Sequence, residues 1–454
     1  MEREITAGLF RFIENAPSPA HTVHAAAEIL RAGGFKELAE TEIWHLEPGG
    51  RYFLTRGLRS LAAFRYPGPD FSAYSVIAPH GDSPCFRVKE SPEMRVEGKY
   101  TVLNTEVYGG LPLHLWLDRP LSMAGSAMVE KDGAVQSRLI DFKDKRFVIP
   151  SLAIHQHREV NEGAKWNPQT QILPLFGGGQ ADFKELLAAE IGVAGEQILS
   201  HEMYLYNAEK PMVYGAQEEF IAAPKLDDLQ SVFAALTAFQ EAENPENVTV
   251  FMIYDNEEIG SMTRRGADSD LFSTLLSRIA FAAGQSPEEQ AAVTARSFLV
   301  SADNGHAVHP LYPEKTDPTN RCYLNGGPLL KVNARYATDV VSEAVFQAVC
   351  RQAKVPVQTF FNRSDVTGGS TLGNISTAHV SLHTVDIGAP QLSMHSPYET
   401  SGVKDTAYLT AAMRAFYTTV IKWQGTEGFT LKKPEKSTGR QEKQWLDISS
   451  GRSR

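Results

Sequence analysis

Apolar residues recur at helical spacing at Ile5, Leu9, Phe12 and Ile13, and again at Val23, Ala26, Ala27 and Leu30, so the chain is predicted to open with two helices. Pro17 and Pro19 separate the two, and Gly33-Gly34 ends the second. From Tyr52 the texture changes to short β-rich runs at 52–55, 61–66 and 74–78. The last run stops at Pro79-His80-Gly81-Asp82, so a strand delivers His80 and Asp82 to a loop. Between about Val88 and Tyr214 short strands and turns dominate, with one helical stretch at 183–190, and this reads as a separate β-rich module. From Pro224 onward helices and apolar strands alternate. A helix is predicted on Leu229, Val232, Phe233 and Leu236, strands at 248–254, 298–300 and 380–385, a helix at 340–353, and a closing helix on Leu409, Ala412, Met413, Phe416 and Val420. Such alternation predicts an α/β fold whose mixed sheet lies between helices.

Length changes the picture little. At roughly 150 residues per domain, 454 residues suggest about three domains. The patterning reduces this to two, a split α/β domain at 1–88 and 215–430 interrupted by a β-rich domain at 89–214. A polar tail at 431–454 follows, in which Trp445 and Leu446 could dock on the surface. With 42% hydrophobic and 22% charged residues the chain belongs among ordinary soluble globular proteins. A net charge of −10 without a long basic run argues against nucleic acid or an anionic membrane as partner. No stretch approaches 18 apolar residues, and the first 15 lack the apolar core of a signal peptide. The three cysteines are widely spaced without any Cys-x-x-Cys, which argues against a disulfide scaffold or thiolate zinc site and makes a reducing cytoplasm the expected compartment.

Phosphate-loop, dinucleotide, His-Glu-x-x-His and serine-elbow signatures are all missing. Metal-friendly side chains remain, each at a strand end or helix start: His80 and Asp82, Asp227-Asp228, Glu257-Glu258, Asp303, and His395. Each has a plainer reading. His80-Gly81-Asp82 could be a hydrogen-bonded turn, Asp227-Asp228 an N-cap pair, and Asp255-Asn256-Glu257-Glu258 an exposed acidic turn. His306 and His309, near Asp303, could be structural. The acidic turn is the sharpest signal, because carboxylates crowded at a buried strand end repel one another unless a cation compensates. Taken together, two imidazoles and three carboxylates suffice to bind two cations with one bridging Asp and a spare Glu as general base.

In order and context, Ala78-Pro79-His80-Gly81-Asp82-Ser83-Pro84, Pro224-Lys225-Leu226-Asp227-Asp228-Leu229, Asp255-Asn256-Glu257-Glu258-Ile259-Gly260-Ser261, residues 301–310 and Met394-His395-Ser396 resemble the M18 family of metallo-aminopeptidases. The resemblance extends to Glu106-Val107-Tyr108-Gly109-Gly110 and to residues 149–155, and covers about residues 1–425. It implies that His80 and Asp303 bind one divalent ion, that Glu258 and His395 bind another, and that Asp227 bridges them. It further implies that Asp82 orients His80 and that Glu257 is the general base, taking a proton from the attacking water and passing one to the departing amine. Zinc is the implied metal, with cobalt or manganese as alternatives. The inserted domain is implied to serve dimerisation, with homodimers assembling into dodecamers and His155 reaching a partner's active site.

The resemblance also implies peptide substrates, released one N-terminal residue at a time. Lys331 matches a lysine that faces an acidic side chain in Asp/Glu-specific relatives, and Tyr336 matches a substrate contact. The shorter stretch between Lys331 and Tyr336, and Asn374 where a Pro is usual, are departures from those relatives. Two other readings accompany the aminopeptidase: an N-acyl amino acid deacylase on the same metals, and a non-catalytic assembly protein on the same fold.

Overall fold

The computed structural model describes residues 2–366, 368–369, 372–425 and 428–432. Two helices open the chain as expected, Glu2–Asn15 and Pro19–Ala32. They cover one face of a nine-stranded sheet in the order Lys36–Glu37, Gly50–Arg56, Ser60–Tyr66, Val248–Ile253, Tyr74–Ala78, Phe298–Ala302, His383–Gly388, Leu329–Lys331 and Gln358–Phe360. Four central strands, Val248–Ile253 through His383–Gly388, run parallel, and an antiparallel strand lies on each side of them. Every residue of Val248–Ile253, Tyr74–Ala78 and Phe298–Ala302 is buried, as a central parallel strand covered on both faces requires.

Strand periodicity divides the core into two layers. Ile77, Phe251, Ile253 and Val300 pack with residues of Glu2–Asn15, Pro19–Ala32, Leu226–Glu241, Val340–Ala353 and Asp405–Tyr417. Their neighbours Val76, Val250, Met252 and Leu299 pack with Leu271–Ala282 and Leu372–His379 on the other face. A second, six-stranded antiparallel sheet is built from Ala134–Asp141, Leu121–Lys131, Ile198–Asn207, Cys85–Val96, Tyr100–Tyr108 and Leu175–Gly178. With the helix Phe183–Ile191 it encloses its own core around Phe86, Leu103, Trp116, Met123, Phe183 and Leu205.

Three local expectations are corrected. The strand predicted at 380–385 forms at His383–Gly388, because Val380 closes the helix Leu372–His379 by donating its N–H to the Ser376 carbonyl. Val420 does not extend the closing helix, which ends at Tyr417; the β-branched run Thr418-Thr419-Val420-Ile421 turns into a hairpin of Val420–Gln424 with Gly428–Lys432. Leu431 and Lys432 therefore belong to a strand rather than to a tail. Residues 433–454, including Trp445 and Leu446, lie outside the described residues. Among the described residues no helix is long and apolar enough to cross a membrane.

Asp405 opens the helix Asp405–Tyr417 from a buried position and accepts the N–H groups of Asn325 (2.6 Å) and Gly327 (3.1 Å), pinning the turn that leads into Leu329–Lys331. Burial pushes its pKa up to about 7, against the pull of those N–H donors. The folded state thus holds a proton that the unfolded chain has already lost near the ordinary value of 3.8. The Asp405 contribution is full below pH 4, falls between about pH 4 and 7, and is flat above. In urea titrations across that range, the stability of wild type relative to Asp405→Asn should decline with rising pH. A difference that is constant or grows rejects the assignment.

Candidate active site and metal centre

The strands Tyr74–Ala78, Val248–Ile253 and Phe298–Ala302 are parallel neighbours, so the loops at their carboxyl ends converge on one edge of the sheet. This is where open α/β sheets hold ligands. His80 follows the first strand, and Pro79-His80-Gly81 runs beside Tyr254 through paired backbone bonds of 2.8 and 3.0 Å. Glu257 and Glu258 occupy the short 3-10 turn Glu257–Ile259, entered through Asn256 in a left-handed conformation (φ 61°). Asp303 follows the third strand. Asp227 and Asp228 begin the helix Leu226–Glu241 with non-helical backbone and a cis peptide between them. His395, also left-handed (φ 66°), lies between the strands Pro390–Leu392 and Glu399–Gly402.

The six presumed ligands and base meet in space. His80 Nε2 is 3.6 Å from Asp227 Oδ1 and 3.8 Å from Asp303 Oδ1. His395 Nε2 is 3.4 Å from Asp227 Oδ2 and 3.4 Å from Glu258 Oε2. Asp227 therefore turns one oxygen toward each imidazole. Donor atoms of three overlapping groups, His80/Asp227/Asp303, Asp227/Glu258/His395 and His80/Glu257/Glu258, lie within 4.8 Å of one another.

The electrostatics of this cluster call for positive charge. Asp227 Oδ1 and Glu258 Oε1 are buried without a hydrogen-bond partner. Burial, then repulsion from Asp227, Glu257 and Asp82, pushes Glu258 well above the usual carboxylate range. Glu257 is pushed up to about 8 by burial and by the charges of Asp303, Asp82 and Asp227. Orphaned buried oxygens beside two imidazoles are what a divalent ion satisfies, so the residues present fit a metal centre.

Around this set lies a layer of orienting groups. His80 Nδ1 is 3.1 Å from the Asp82 carbonyl and 3.5 Å from its Oδ1, which leaves Nε2 facing the cluster. Asp82 accepts the N–H groups of Glu257 and Glu258, both at 3.2 Å. Burial opposes its charge, yet His80, the Tyr108 hydroxyl and the Arg59 guanidinium hold its carboxyl below the usual range. Sequence patterning had offered the N-cap role for Asp227-Asp228. In the fold Asp228 is fully buried and its Oδ2 accepts the His80 N–H at 3.3 Å.

Three contributors escaped the sequence reading. Glu399, four residues after His395, is buried and accepts the N–H groups of His395 (2.7 Å) and Asp227 (3.0 Å), fixing both ligand backbones. The Gly110 carbonyl accepts His395 Nδ1–H at 2.6 Å. The Tyr108 hydroxyl donates to Asp82 Oδ2 at 2.7 Å. A His-x-x-x-Glu spacing carries no signal of its own, and Tyr108 and Gly110 were visible only within the stretch resembling the family.

Lys331 is buried at the edge of the cluster, where Nζ is 3.1 Å from Asp303 Oδ2 and 5.8 Å from the centre of the Tyr336 ring. Its charge is already engaged by a presumed ligand, a pairing not expected from sequence. Tyr336 packs on Cys322, Leu329 and Phe360. His155 is exposed in the 3-10 turn Ile154–Gln156 and is not brought into the cluster of its own chain.

A parallel-centred α/β sheet whose strand-end loops bring His80, Glu257, Glu258 and Asp303 against Asp227 and His395 from neighbouring segments, two imidazoles and four carboxylates in all, has the makings of a metal-dependent hydrolase. The family profile described as aminopeptidase I zinc metalloprotease (M18) matches residues 12–417, and the chain belongs to that family of aminopeptidases. A relative from Clostridium acetobutylicum named "Probable M18 family aminopeptidase 2" is 42% identical over 429 residues, covering 92% of this chain and 99% of its own. The structure described as the Ape4 and Nbr1 complex superposes with a TM-score of 0.88 at 34% identity, covering 92% of this chain and 86% of that one. The S. cerevisiae mApe1 dodecamer superposes at 0.80 with 27% identity, covering 92% and 96%. The chain is thus a zinc metallopeptidase of the M18 type.

Proposed function

We propose that the protein removes N-terminal residues from peptides with two divalent ions, His80 and Asp303 holding one, Glu258 and His395 the other, and Asp227 both. The observation that carries this reading is Asp227, with Oδ1 toward His80 and Oδ2 toward His395. Bound zinc supplies Lewis-acid polarisation and compensates the clustered carboxylates. Glu257 is the general base. Its half-buried carboxyl sits among the ligands, placed to take a proton from water and return one to the departing amine once bound cations offset the charges crowding it. Asp82 and Glu399 hold ligand side chains and backbone in place, so little reorganisation accompanies the reaction.

The chain divides, on this reading, into a split α/β catalytic domain and an inserted domain carrying the six-stranded sheet. Separate cores support that division. The inserted domain serves dimerisation, the dimers build a dodecamer like that of mApe1, and His155 reaches a partner's site. The free, buried cysteines Cys85, Cys322 and Cys350 accord with a reducing cytoplasm. Zinc analysis with a panel of free-amino and N-acetylated dipeptides tests the activity. Hydrolysis restricted to free-amino substrates is expected, and equal cleavage of acetylated ones would favour a deacylase.

Preference for Asp or Glu at the substrate N-terminus rests on Lys331, whose ammonium, shared with Asp303, can also meet an incoming carboxylate. Lys331→Ala is expected to lower kcat/KM on Asp and Glu substrates by about ten- to a hundredfold more than on Leu or Ala substrates, as loss of one charge-assisted bond allows. An equal loss across the panel assigns Lys331 to the support of Asp303 alone.

A further inference from the structure

One segment of the six-stranded sheet touches both halves of the cluster. Tyr108 ends the strand Tyr100–Tyr108, and its hydroxyl donates to Asp82 Oδ2 at 2.7 Å while accepting from Asn256 Nδ2 at 2.9 Å. Two residues on, the Gly110 carbonyl holds His395 Nδ1. Between them Gly109 is left-handed (φ +77°), and a Cβ there would lie 3.1 Å from Glu258 Cβ, so this backbone runs directly against the ligand turn. The Tyr108 ring is buried and packs edge-on against Tyr204 of the same six-stranded sheet, with centroids 5.7 Å apart. Arg59, from a hairpin turn of the nine-stranded sheet, joins that sheet to the six-stranded one beside Tyr108: Nη2 is 2.8 Å from Asp255 Oδ1 and Nη1 is 2.9 Å from Glu202 Oε2.

We infer that Tyr108 is a positioning residue for the metal centre, acting through Asp82. Among the described residues Asp82 alone spans the His80 imidazole and the N–H groups of Glu257 and Glu258, so its rotation would disturb the ligands of both proposed ions and the proposed base together. The Tyr108 O–H fixes that carboxylate from a ring that cannot follow it. Orienting partners of this kind set the tautomer and direction of a ligand imidazole. Because the hydroxyl comes from the six-stranded sheet, the seating of that sheet and metal affinity become one linked property. This inference rests on the proposed reading of the cluster as a metal centre.

The test measures zinc affinity of metal-stripped full-length protein by competition with a chromophoric chelator, alongside melting of the stripped protein and kcat and KM on a free-amino dipeptide. Tyr108→Phe should weaken zinc by about tenfold or more and lower kcat, with KM within about twofold of wild type. Tyr204→Phe, which removes a hydroxyl that reaches Arg59 at the same sheet contact, should keep zinc affinity. Added to Asp82→Ala, Tyr108→Phe should weaken zinc no further, because its route is already cut. Unchanged affinity in Tyr108→Phe, an equal loss in Tyr204→Phe, or a fully additive loss on Asp82→Ala would overturn the inference. So would a Tyr108→Phe protein that no longer folds without metal, since the hydroxyl would then serve stability. Wild type that binds no zinc rejects the metal-centre reading itself, a result distinct from normal wild type with an unaltered variant.

Discussion

Glu257→Gln is expected to lower kcat by about a hundred- to ten-thousandfold, the range over which a positioned general base contributes. The amide nearly matches the carboxylate in shape but cannot accept and return a proton. Zinc content should be kept, because the five proposed ligands remain. Stability of the metal-stripped protein at neutral pH should rise, since burial and the charges of Asp303, Asp82 and Asp227 push Glu257 up to about 8, so folding must reprotonate a carboxylate that the unfolded chain has ionised, a cost the amide does not carry. Steady-state kinetics, metal analysis and melting read these three outcomes from one preparation. More than about a tenth of wild-type kcat would remove Glu257 as the base, because general-base catalysis is worth more than that.

Asp227→Asn should be at least as damaging, by a different route. Each oxygen of Asp227 faces a different imidazole, and the amide that replaces the carboxylate offers one oxygen and a nitrogen that donates. One of the two proposed ions would then lose its shared ligand. After exhaustive dialysis the zinc-to-protein ratio should fall from near two to near one or below, with turnover falling in step. Both pairs of His and carboxylate neighbours would remain, so adding excess zinc should restore part of the occupancy and little of the activity. Full zinc content in Asp227→Asn would reject the shared-ligand assignment.

Much of this site was legible before any fold was known. His80, Asp227, Glu257, Glu258, Asp303 and His395 each follow a strand or open a helix in the hydrophobic pattern, and a carboxylate pair at the end of a buried strand is hard to explain without a cation. Helices were less legible where the pattern lacked one dry stripe. Leu271–Ala282 is apolar over most of its surface, and Leu372–His379 is short and follows a glycine-rich stretch. The displaced strand at His383–Gly388 shows the same limit, since Val380 is apolar enough for a strand and is instead used to close a helix.

The sequence by itself singled out the side chains that the fold brings together and the order in which they arrive, because residue type and the periods of two and 3.6 along the chain place each at a strand end or helix start, while the roles proposed for them came from the family resemblance. Tertiary structure alone decided what surrounds them. Tyr108 meets Asp82 across 26 residues, and Gly110 meets His395 across 285. Glu399 holds two ligand backbones that lie 168 residues apart in the chain, Asp227 and His395. Lys331 was placed near the site by resemblance, but its pairing with Asp303 appears only when the strands Phe298–Ala302 and Leu329–Lys331 are set on either side of His383–Gly388. Such partners are fixed by the convergence of loops at one sheet edge, and no local pattern encodes a hydrogen bond whose donor and acceptor are joined only through the fold.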